Sequence, residues 1–270
     1  MTAEDEQPSI KPEPRCDMRA PLRLGFGCAG AWALPSLSDR AARRLVAHAA
    51  SLGVSHFDTA GFYGAGAAEA RLGRALADIS DGDACFVSTK TGTRLDRLGR
   101  KRKDFSEAGM RADVDASLRR LGRERIDLLY LHGPSNEALE RAAPFLDALK
   151  DEGLIAAWGV CGEGSGLDYA VDRGLGDAIM GVYNVFDRRH ADVFRRAKRA
   201  GMAVAAIAPL AQALYRKDFF APRSPAAVWY ILRALVRNRA ALAAARAPAA
   251  AILHETPGWD AADLVLRHAL

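Results

Sequence analysis

The sequence predicts an α/β protein built as a (β/α)8 barrel of the TIM-barrel type, and three observations favour that class. Short β-type runs alternate with helical stretches along most of the 270 residues, a pattern typical of βαβ units in a parallel sheet. Seven such units follow one another in one register, which suits a barrel better than a doubly wound sheet. No Gly-x-Gly-x-x-Gly motif follows the first strand, so an open dinucleotide-binding sheet is the weaker alternative.

The predicted strands and helices alternate regularly along the chain. We place strands at residues 22–27, 54–58, 84–90, 126–132, 156–160, 178–183 and 202–208. The intervening helices are placed at residues 39–52, 67–76, 106–121, 136–151, 167–173 and 187–200. Ser38 stands at an N-cap position and Gly122 at a C-terminal position, which locates two helix boundaries.

The regular alternation stops after the seventh strand. Residues 210–258 are too long for a plain connection, and Ser224 and Pro225 predict the N-cap and first turn of a helix within them. That helix carries an apolar stripe at Val228, Ile231, Leu232, Leu235 and Val236. A last helix is predicted at residues 261–270 and no strand follows it, so we expect the barrel to lack its eighth strand and last helix. Strands one and seven would then have open edges through which the chain could self-associate.

The composition and charge are those of a globular domain and give no indication of nucleic-acid binding. Half of the residues are apolar and 26% are charged, which is the balance of a globular domain. The net charge is +5, from 38 Lys and Arg against 33 Asp and Glu, and no nucleic-acid-binding motif accompanies it. The excess is concentrated only at residues 97–103. We interpret that run as a solvated loop, with a contact to an anion or a cofactor phosphate as the alternative.

Cysteine usage and hydropathy predict a cytoplasmic protein. The four cysteines have no CxxC or metal-type spacing and are expected to be reduced thiols: Cys16, Cys28, Cys85 and Cys161. No apolar run is long enough to cross a bilayer. Residues 1–21 are acidic and proline-rich without the apolar core of a signal peptide, so we expect a disordered leader before one barrel domain at residues 22–270.

Four polar residues follow three consecutive predicted strands. Asp58 ends the second strand and Tyr63 follows it, while Lys90 ends the third strand and His132 the fourth. Each residue alone has an ordinary structural explanation, such as a capped turn or a packed ring. Because the carboxyl ends of parallel strands meet at one face of a barrel, the four together predict an active site there.

The residue types of this group suit the reduction of a carbonyl by a nicotinamide hydride. Such a reaction needs a proton donor, and a tyrosine, whose ordinary pKa is about 10, is a slow acid at neutral pH. An ammonium group such as that of Lys90 is expected to lower the pKa of Tyr63, and Asp58 to keep the lysine charged. A neutral imidazole at His132 would orient the substrate oxygen.

A metal-dependent hydrolase is a competing hypothesis. It would use His56, Asp58 and His132 as ligands, but the further His and carboxylate ligands expected at other strand ends are missing from the sequence. We therefore expect no metal.

Two sequence stretches resemble the hallmarks of the aldo-keto reductases. Residues 53–76, GVSHFDTAGFYGAGAAEARLGRAL, are similar to the family signature, and residues 117–134, SLRRLGRERIDLLYLHGP, to its second hallmark. Weaker similarity is found in VSTKTG around Lys90, in GVYNVFDRR from Gly181 and in IAPLAQAL from Ile207. The resemblance extends from about residue 22 to the end of the chain.

The resemblance implies a (β/α)8 barrel that uses NADP(H), with NAD(H) as the alternative, on a small aldehyde, ketone or aldose-type substrate. It gives Tyr63 the role of acid and base, Lys90 and Asp58 that of tuning it, and His132 that of orienting the substrate. It also implies that cofactor is bound at Gly27, Cys28, Cys161, Gly162, Tyr183, Ala208, Pro209 and Leu210.

The chain departs from the family pattern at the expected cofactor site. Cys161 and Gly162 stand where the family usually has Ser-Asn to hold the nicotinamide carboxamide, and Met180 replaces a glutamine. Tyr183 lies near the position where an aromatic ring stacks on the nicotinamide. The strand and helix that hold the adenosine 2′-phosphate are not found. A catalytically weak or truncated barrel that only binds a nucleotide or a partner is therefore the alternative function.

Overall fold

A computed structural model of the chain describes residues 24–216, 218–222, 225–237, 239–247, 255 and 258–269. The predicted leader at residues 1–21 and the predicted N-cap Ser224 lie outside the described residues, as does Cys16. The prediction of a disordered leader therefore stays a prediction.

A seven-stranded parallel sheet forms the centre of the molecule. Its strands, in spatial order, are β1 (Gly25–Gly27), β2 (His56–Asp58), β3 (Phe86–Thr91), β6 (Leu128–His132), β7 (Trp158–Cys161), β8 (Ala178–Val182) and β9 (Ala203–Ile207). Each corresponds to one of the seven predicted strands, most of them beginning one to three residues later than predicted. The sheet curls into part of a barrel with helices outside it, which confirms the predicted α/β barrel class.

The helices that connect these strands also follow the prediction. They are α1 (Asp39–Ser51), α2 (Ala67–Leu76), α3 (Glu107–Leu121), α4 (Asn136–Asp151), α5 (Gly166–Arg173) and α6 (Ala191–Arg199). Serine side chains cap α1, α3 and α4, where Ser38, Ser106 and Ser135 accept backbone N–H groups at 3.1–3.2 Å. Gly122 ends α3 in the left-handed conformation, as predicted.

Helix α6 begins four residues later than the predicted start at residue 187. The side-chain oxygen of Asn184 accepts the backbone N–H groups of Phe186 and Asp187 at 2.9 and 3.0 Å. The backbone N–H of Asn184 also donates to the Asp187 carbonyl at 3.0 Å, so this carbonyl does not accept the N–H of residue 191, as a helix beginning at residue 187 would require.

The basic run at residues 97–103 belongs to a hairpin and not to a loop. Strand β4 (Thr93–Leu95) pairs with β5 (Lys101–Lys103) in antiparallel register. Asp96 closes the turn between them, since one of its oxygens accepts the backbone N–H groups of Leu98 and Arg100, both at 2.9 Å. Sequence periodicity missed the hairpin because each strand has only three residues. The lysines of β5 are exposed, as expected for a solvated run.

Alternate residues of the strands pack on opposite faces of the sheet. Leu129 and Leu131 of β6 belong to the large cluster between the sheet and the helices. Their neighbours Leu128 and Tyr130 belong to a smaller cluster inside the curled sheet. His132 is two residues beyond Tyr130, so its side chain also faces the interior of the barrel, at the carboxyl end of the strand.

The sheet is open between its first and last strands. In the described part of the chain, β1 and β9 are end strands and no eighth strand joins them. Every residue of β9 is only half-buried although its sequence, AVAAI, is entirely apolar. Association of copies through these edges stays a prediction.

After β9, the described residues give the bounds of three α-helices: α7 (Pro225–Arg237), α8 (Arg239–Arg246) and α9 (Ala261–Ala269). The predicted helices α7 and α9 are found, whereas α8 was not predicted. In the apolar stripe of α7, Leu232 and Val236 are exposed, whereas Ala234, outside the stripe, is buried against Leu214 and Leu242. No described helix is both long and apolar enough to cross a membrane.

A buried carboxylate joins three elements below the site. Glu69 of α2 is fully buried and accepts hydrogen bonds from Thr89 of β3 and Ser117 of α3, both at 2.7 Å. It also accepts one from Arg120 of α3 at 3.0 Å. The network fixes α2, which follows Tyr63, against the strand that carries Lys90.

We expect Glu69→Ala to lower the free energy of unfolding by about 3–5 kcal/mol, because it leaves an arginine and two hydroxyl groups without their buried partner. Urea denaturation measures the loss. Glu152→Gln, which breaks an exposed ion pair with Arg111, is the matched control and should change stability little. Equal effects of the two substitutions would contradict the prediction.

Candidate active site

The structure brings the four predicted polar residues to one end of the barrel. Asp58 and His132 are the last residues of β2 and β6, and Lys90 lies near the end of β3. Tyr63 begins a short 3-10 turn, Tyr63–Gly66, directly after β2. Phe62 connects the group, because its ring contacts the Tyr63 ring at 4.6 Å and stacks on the His132 ring at 4.9 Å.

Lys90 and Asp58 form a buried ion pair. The lysine Nζ donates to both carboxylate oxygens, at 2.8 and 2.7 Å, and to the backbone carbonyl of Thr59 at 2.7 Å. The Lys90 side chain is 2% exposed. Burial disfavours its ammonium form, but the charge of Asp58 outweighs burial and raises the pKa of Lys90 above its ordinary value. Lys90 is therefore charged at neutral pH.

The pKa of Tyr63 does not shift as the sequence predicted. Burial raises the pKa of the phenol above its usual value, and the Lys90 ammonium lowers it only in part. Lys90 Nζ lies 5.4 Å from the centre of the Tyr63 ring. The lysine acts in the expected direction, but the cost of placing a phenolate in a dry site is larger. Tyr63 is therefore protonated at neutral pH.

His132 is a neutral imidazole. Burial, followed by the charges of Lys103, Lys90 and Lys101, lowers the pKa of His132 to about 3. Its Nδ1 is buried and has no hydrogen-bond partner among the described residues. A buried polar atom without a partner is costly, and a ligand that hydrogen-bonds to it removes that cost.

A chain of hydrogen bonds that the sequence did not predict lies beneath the ion pair. Ser88 Oγ donates to Asp58 Oδ1 at 2.8 Å, and His56 Nε2 lies 2.9 Å from Ser88 Oγ. Because the serine proton is directed at Asp58, His56 Nε2 is the donor in the second bond. Both residues precede a site residue by two positions, so strand alternation places them on the same inward face. That spacing was the signal available in the sequence.

The metal-site hypothesis finds no support in the geometry. The described residues contain no group of three His, Cys, Asp or Glu side chains arranged to hold a metal ion. His56 is bonded to Ser88, and His132 is stacked on Phe62.

Four of the residues expected to bind cofactor lie beside the polar group. Cys28 follows β1, is fully buried and donates its backbone N–H to Asp58 O at 2.7 Å. A Cβ added to Gly27 would meet no atom within 4 Å. Cys161 is the last residue of β7, and burial raises the pKa of its thiol to about 11, with Lys90 lowering it in part. Gly162 follows it and donates its backbone N–H to Met180 O at 3.1 Å.

The structure does not bring Tyr183 to this group. Its ring stacks on His268 of α9 at 5.7 Å and contacts Phe194 of α6 at 5.9 Å. Tyr183 directly follows Val182 of β8 and packs on the helix side of the sheet, because Met180 takes the inward face. A stack on nicotinamide would need the ring to leave His268, and it stays a prediction.

The loop after β9 holds the last three predicted cofactor residues, Ala208, Pro209 and Leu210. Ala208 has a φ of 56°, and Ala211 and Ala213 share this left-handed conformation, which is unfavourable for alanine. The Ala208 carbonyl accepts a hydrogen bond from Asn184 Nδ2 at 3.2 Å. Such strain is typical of functional loops, but cofactor binding here stays a prediction.

Comparison with known proteins assigns the family. The sequence profile of the Aldo/keto reductase family matches residues 24–270. The chain belongs to the aldo/keto reductase family. This confirms the resemblance noted in the sequence, and the tetrad of Asp58, Tyr63, Lys90 and His132 lies within the matched region.

Two curated relatives are sugar dehydrogenases. A D-threo-aldose 1-dehydrogenase of Pseudomonas sp is 35% identical over 61% of this chain and 56% of its own length. An L-galactose dehydrogenase of Arabidopsis thaliana is 30% identical over 71% of this chain and 62% of its own length. The chain thus spans less than two thirds of either relative.

Solved structures show the same fold. The holo form of an aldo-keto reductase from Bacillus halodurans has a TM-score of 0.65 and 29% identity, covering 72% of this chain and 64% of that one. A glycerol dehydrogenase of Gluconobacter oxydans, at 24% identity and a TM-score of 0.62, covers 90% of this chain and 91% of its own. At that identity it supports the fold alone.

We expect the ring of His132 to stay neutral between pH 8 and pH 5, because its pKa is about 3. The imidazole Cε1–H resonance, assigned with the His132→Asn variant, should not move over this range in NMR spectra. The same resonance in urea should titrate near the ordinary value of about 6.5. A titration midpoint above pH 5 in the folded protein would show that the site does not exclude the imidazolium.

Proposed function

We propose that the chain is an NADP(H)-dependent oxidoreductase that transfers a hydride between nicotinamide and a small aldehyde, ketone or aldose-type substrate. One observation carries the proposal. A buried ion pair, in which Lys90 donates to both carboxylate oxygens of Asp58, lies beside the protonated Tyr63. The neutral His132 is stacked on the adjacent Phe62 ring. This arrangement provides a proton donor, a charge that stabilises its conjugate base, and a neutral group that orients the oxygen.

The residues around the tetrad fit the reacting end of such a cofactor. His132 Nδ1 lacks a partner among the described residues, and the space above Gly27 is open. When bound, a reduced nicotinamide supplies the hydride. Cys161 and Gly162 would lie next to its carboxamide, where a buried thiol is a weaker hydrogen-bonding group than a serine hydroxyl.

In the direction of reduction, Tyr63 donates its phenolic proton to the carbonyl oxygen as that oxygen gains negative charge. The phenolate that remains is stabilised by the ammonium of Lys90, which Asp58 keeps charged. In the direction of oxidation, the same phenolate accepts the proton of the alcohol. The raised pKa of Tyr63 keeps the donor form present at neutral pH.

His132 directs the substrate oxygen toward Tyr63. A neutral ring has one N–H to donate and does not compete with Tyr63 as an acid. The stack on Phe62 fixes the plane of the imidazole, so the carbonyl is held in one orientation.

The names of the relatives support a sugar-type substrate, and the free cysteines support a cytoplasmic location. Both curated relatives described above carry the name of a sugar dehydrogenase. The three cysteines within the described residues are free thiols, as expected in a reducing compartment. We take NADP(H) as cofactor from the family resemblance, with NAD(H) as the alternative that a direct titration distinguishes.

The open sheet and the Cys161–Gly162 pair favour a second candidate, a barrel that binds nucleotide or a partner with little catalysis. Both candidates predict NADPH binding. Only the first predicts turnover that depends on the phenolic hydroxyl of Tyr63.

We expect Tyr63→Phe to lower kcat for carbonyl reduction by about 10²–10⁴-fold, the usual contribution of a general acid. The Kd for NADPH, measured by fluorescence titration, should change little because the ring remains. Tyr169→Phe removes a phenolic hydroxyl that is bonded to Glu140 far from the site, and it should have neither effect. NADPH binding without turnover in the unmodified chain would favour the second candidate.

We expect the double variant Cys161→Ser, Gly162→Asn to lower the Kd for NADPH, because it restores hydroxyl and amide groups for the carboxamide. The backbone accepts the change, since a Cβ at Gly162 meets only the Gly133 Cα, at 3.7 Å. Cys85→Ser, at a buried cysteine bonded to Asp81 O, controls for a general effect of the thiol-to-hydroxyl change. Unchanged or weaker binding by the double variant would mean that other groups hold the carboxamide.

A further inference from the structure

The hairpin strand β5 presents its charges on two faces. Arg102 lies on one face, where it pairs with Asp96 of the turn at 3.5 Å. Lys101 and Lys103, one residue to either side, lie on the other face because side chains alternate along a strand. This second face is turned toward the candidate active site.

Both lysines contact the residues that surround the tetrad. Lys101 Nζ lies 5.0 Å from the centre of the Phe62 ring, the ring that stacks on His132. Lys103 Nζ donates to Thr93 Oγ1 at 2.9 Å and to the backbone carbonyl of His132. Lys103 therefore contacts the backbone of His132, and Lys101 contacts the ring that stacks on its imidazole.

These ammonium groups have no acidic partner. In the part of the chain that the structure describes, neither Lys101 nor Lys103 forms an ion pair, whereas the arginine between them does. A cavity of about 610 Å³ opens beside Lys103, and Gly133 and Arg141 are among its lining residues. No acidic side chain is in this lining, so Lys103 and Arg141 make the potential in this cavity positive.

We propose that the carbonyl substrate carries an anionic group, a carboxylate or a phosphate, that Lys101 and Lys103 bind. This inference rests on the proposed function and names the substrate class of the same site. An anion between the two lysines would gain charge-assisted hydrogen bonds from both. It would also hold the substrate against Phe62, with its carbonyl oxygen near His132 and Tyr63.

The test compares aldehydes that differ mainly in the anionic group. Succinic semialdehyde is matched with butanal, and glyceraldehyde 3-phosphate with glyceraldehyde. We expect the anionic member of at least one pair to have the higher kcat/KM, mainly through a lower KM, and the two pairs distinguish carboxylate from phosphate. Lys101→Gln and Lys103→Gln should each reduce this preference by about three- to tenfold, the range for a partly exposed charge-assisted contact.

Arg102→Gln is the matched control. It removes the same charge from the same strand but from the opposite face, so the preference should remain. If Arg102→Gln reduces the preference as much as Lys101→Gln does, net charge alone is responsible and the proposal is overturned. Lys103 also bonds to Thr93 and His132, so the exposed Lys101, whose side chain forms no such bond among the described residues, provides the cleaner variant.

A binding measurement separates this inference from the proposed function. Calorimetric titration with succinate and with inorganic phosphate needs no turnover, and binding should weaken in Lys101→Gln but not in Arg102→Gln. Anion binding of this kind without aldehyde reduction would refute the proposed function and keep the anion site. Reduction of all four aldehydes without an anionic preference would refute the anion site and keep the function. A higher Kd for NADPH in Lys101→Gln, with the preference unchanged, would assign the lysines to the cofactor and overturn the proposal.

Discussion

The buried ion pair between Lys90 and Asp58 is the interaction on which the site depends. An ammonium buried to this degree would lose its proton unless a carboxylate compensated for the lost solvation. Asp58 provides that compensation with both oxygens, and the Thr59 carbonyl takes a further lysine N–H. The pair thus keeps a positive charge next to the half-buried Tyr63, and the proton chemistry proposed for the phenol follows from that charge.

The ion pair is itself held by a second layer of polar contacts. Ser88 donates to Asp58 and receives a hydrogen bond from His56. These bonds hold the Asp58 carboxylate in one orientation. Burial lowers the pKa of His56, which keeps its ring neutral. Glu69 performs a related task outside the barrel by joining α2 to β3 and α3. The active-site charges are therefore positioned by strand and helix residues, while Tyr63 alone comes from a turn.

The sequence predicted the barrel and the placement of the tetrad well, because both depend on local periodicity and on strand ends. Asp58, Lys90 and His132 meet wherever three adjacent parallel strands end together, so no long-range information was needed. The pKa of Tyr63 was predicted in the wrong direction, since the sequence shows the neighbouring charge of Lys90 but not the depth of burial. Tyr183 was expected at the nicotinamide but follows the end of β8 on the helix side, where its ring packs against α6 and α9. The β4–β5 hairpin was not predicted, because strands of three residues are too short to show an alternation of apolar and polar residues.

The charges of the hairpin and the neutrality of His132 are compatible with the proposed anion site. Lys103 and Lys101 are among the causes that lower the pKa of His132, but burial is the largest of them. An anion bound between the lysines would offset their charge and raise the pKa of His132 again. The same anion would exclude water from the ring and strengthen the effect of burial. Since burial is the leading cause and stays in place, the imidazole would remain neutral with such an anion bound, as the role proposed for Tyr63 as the proton donor requires.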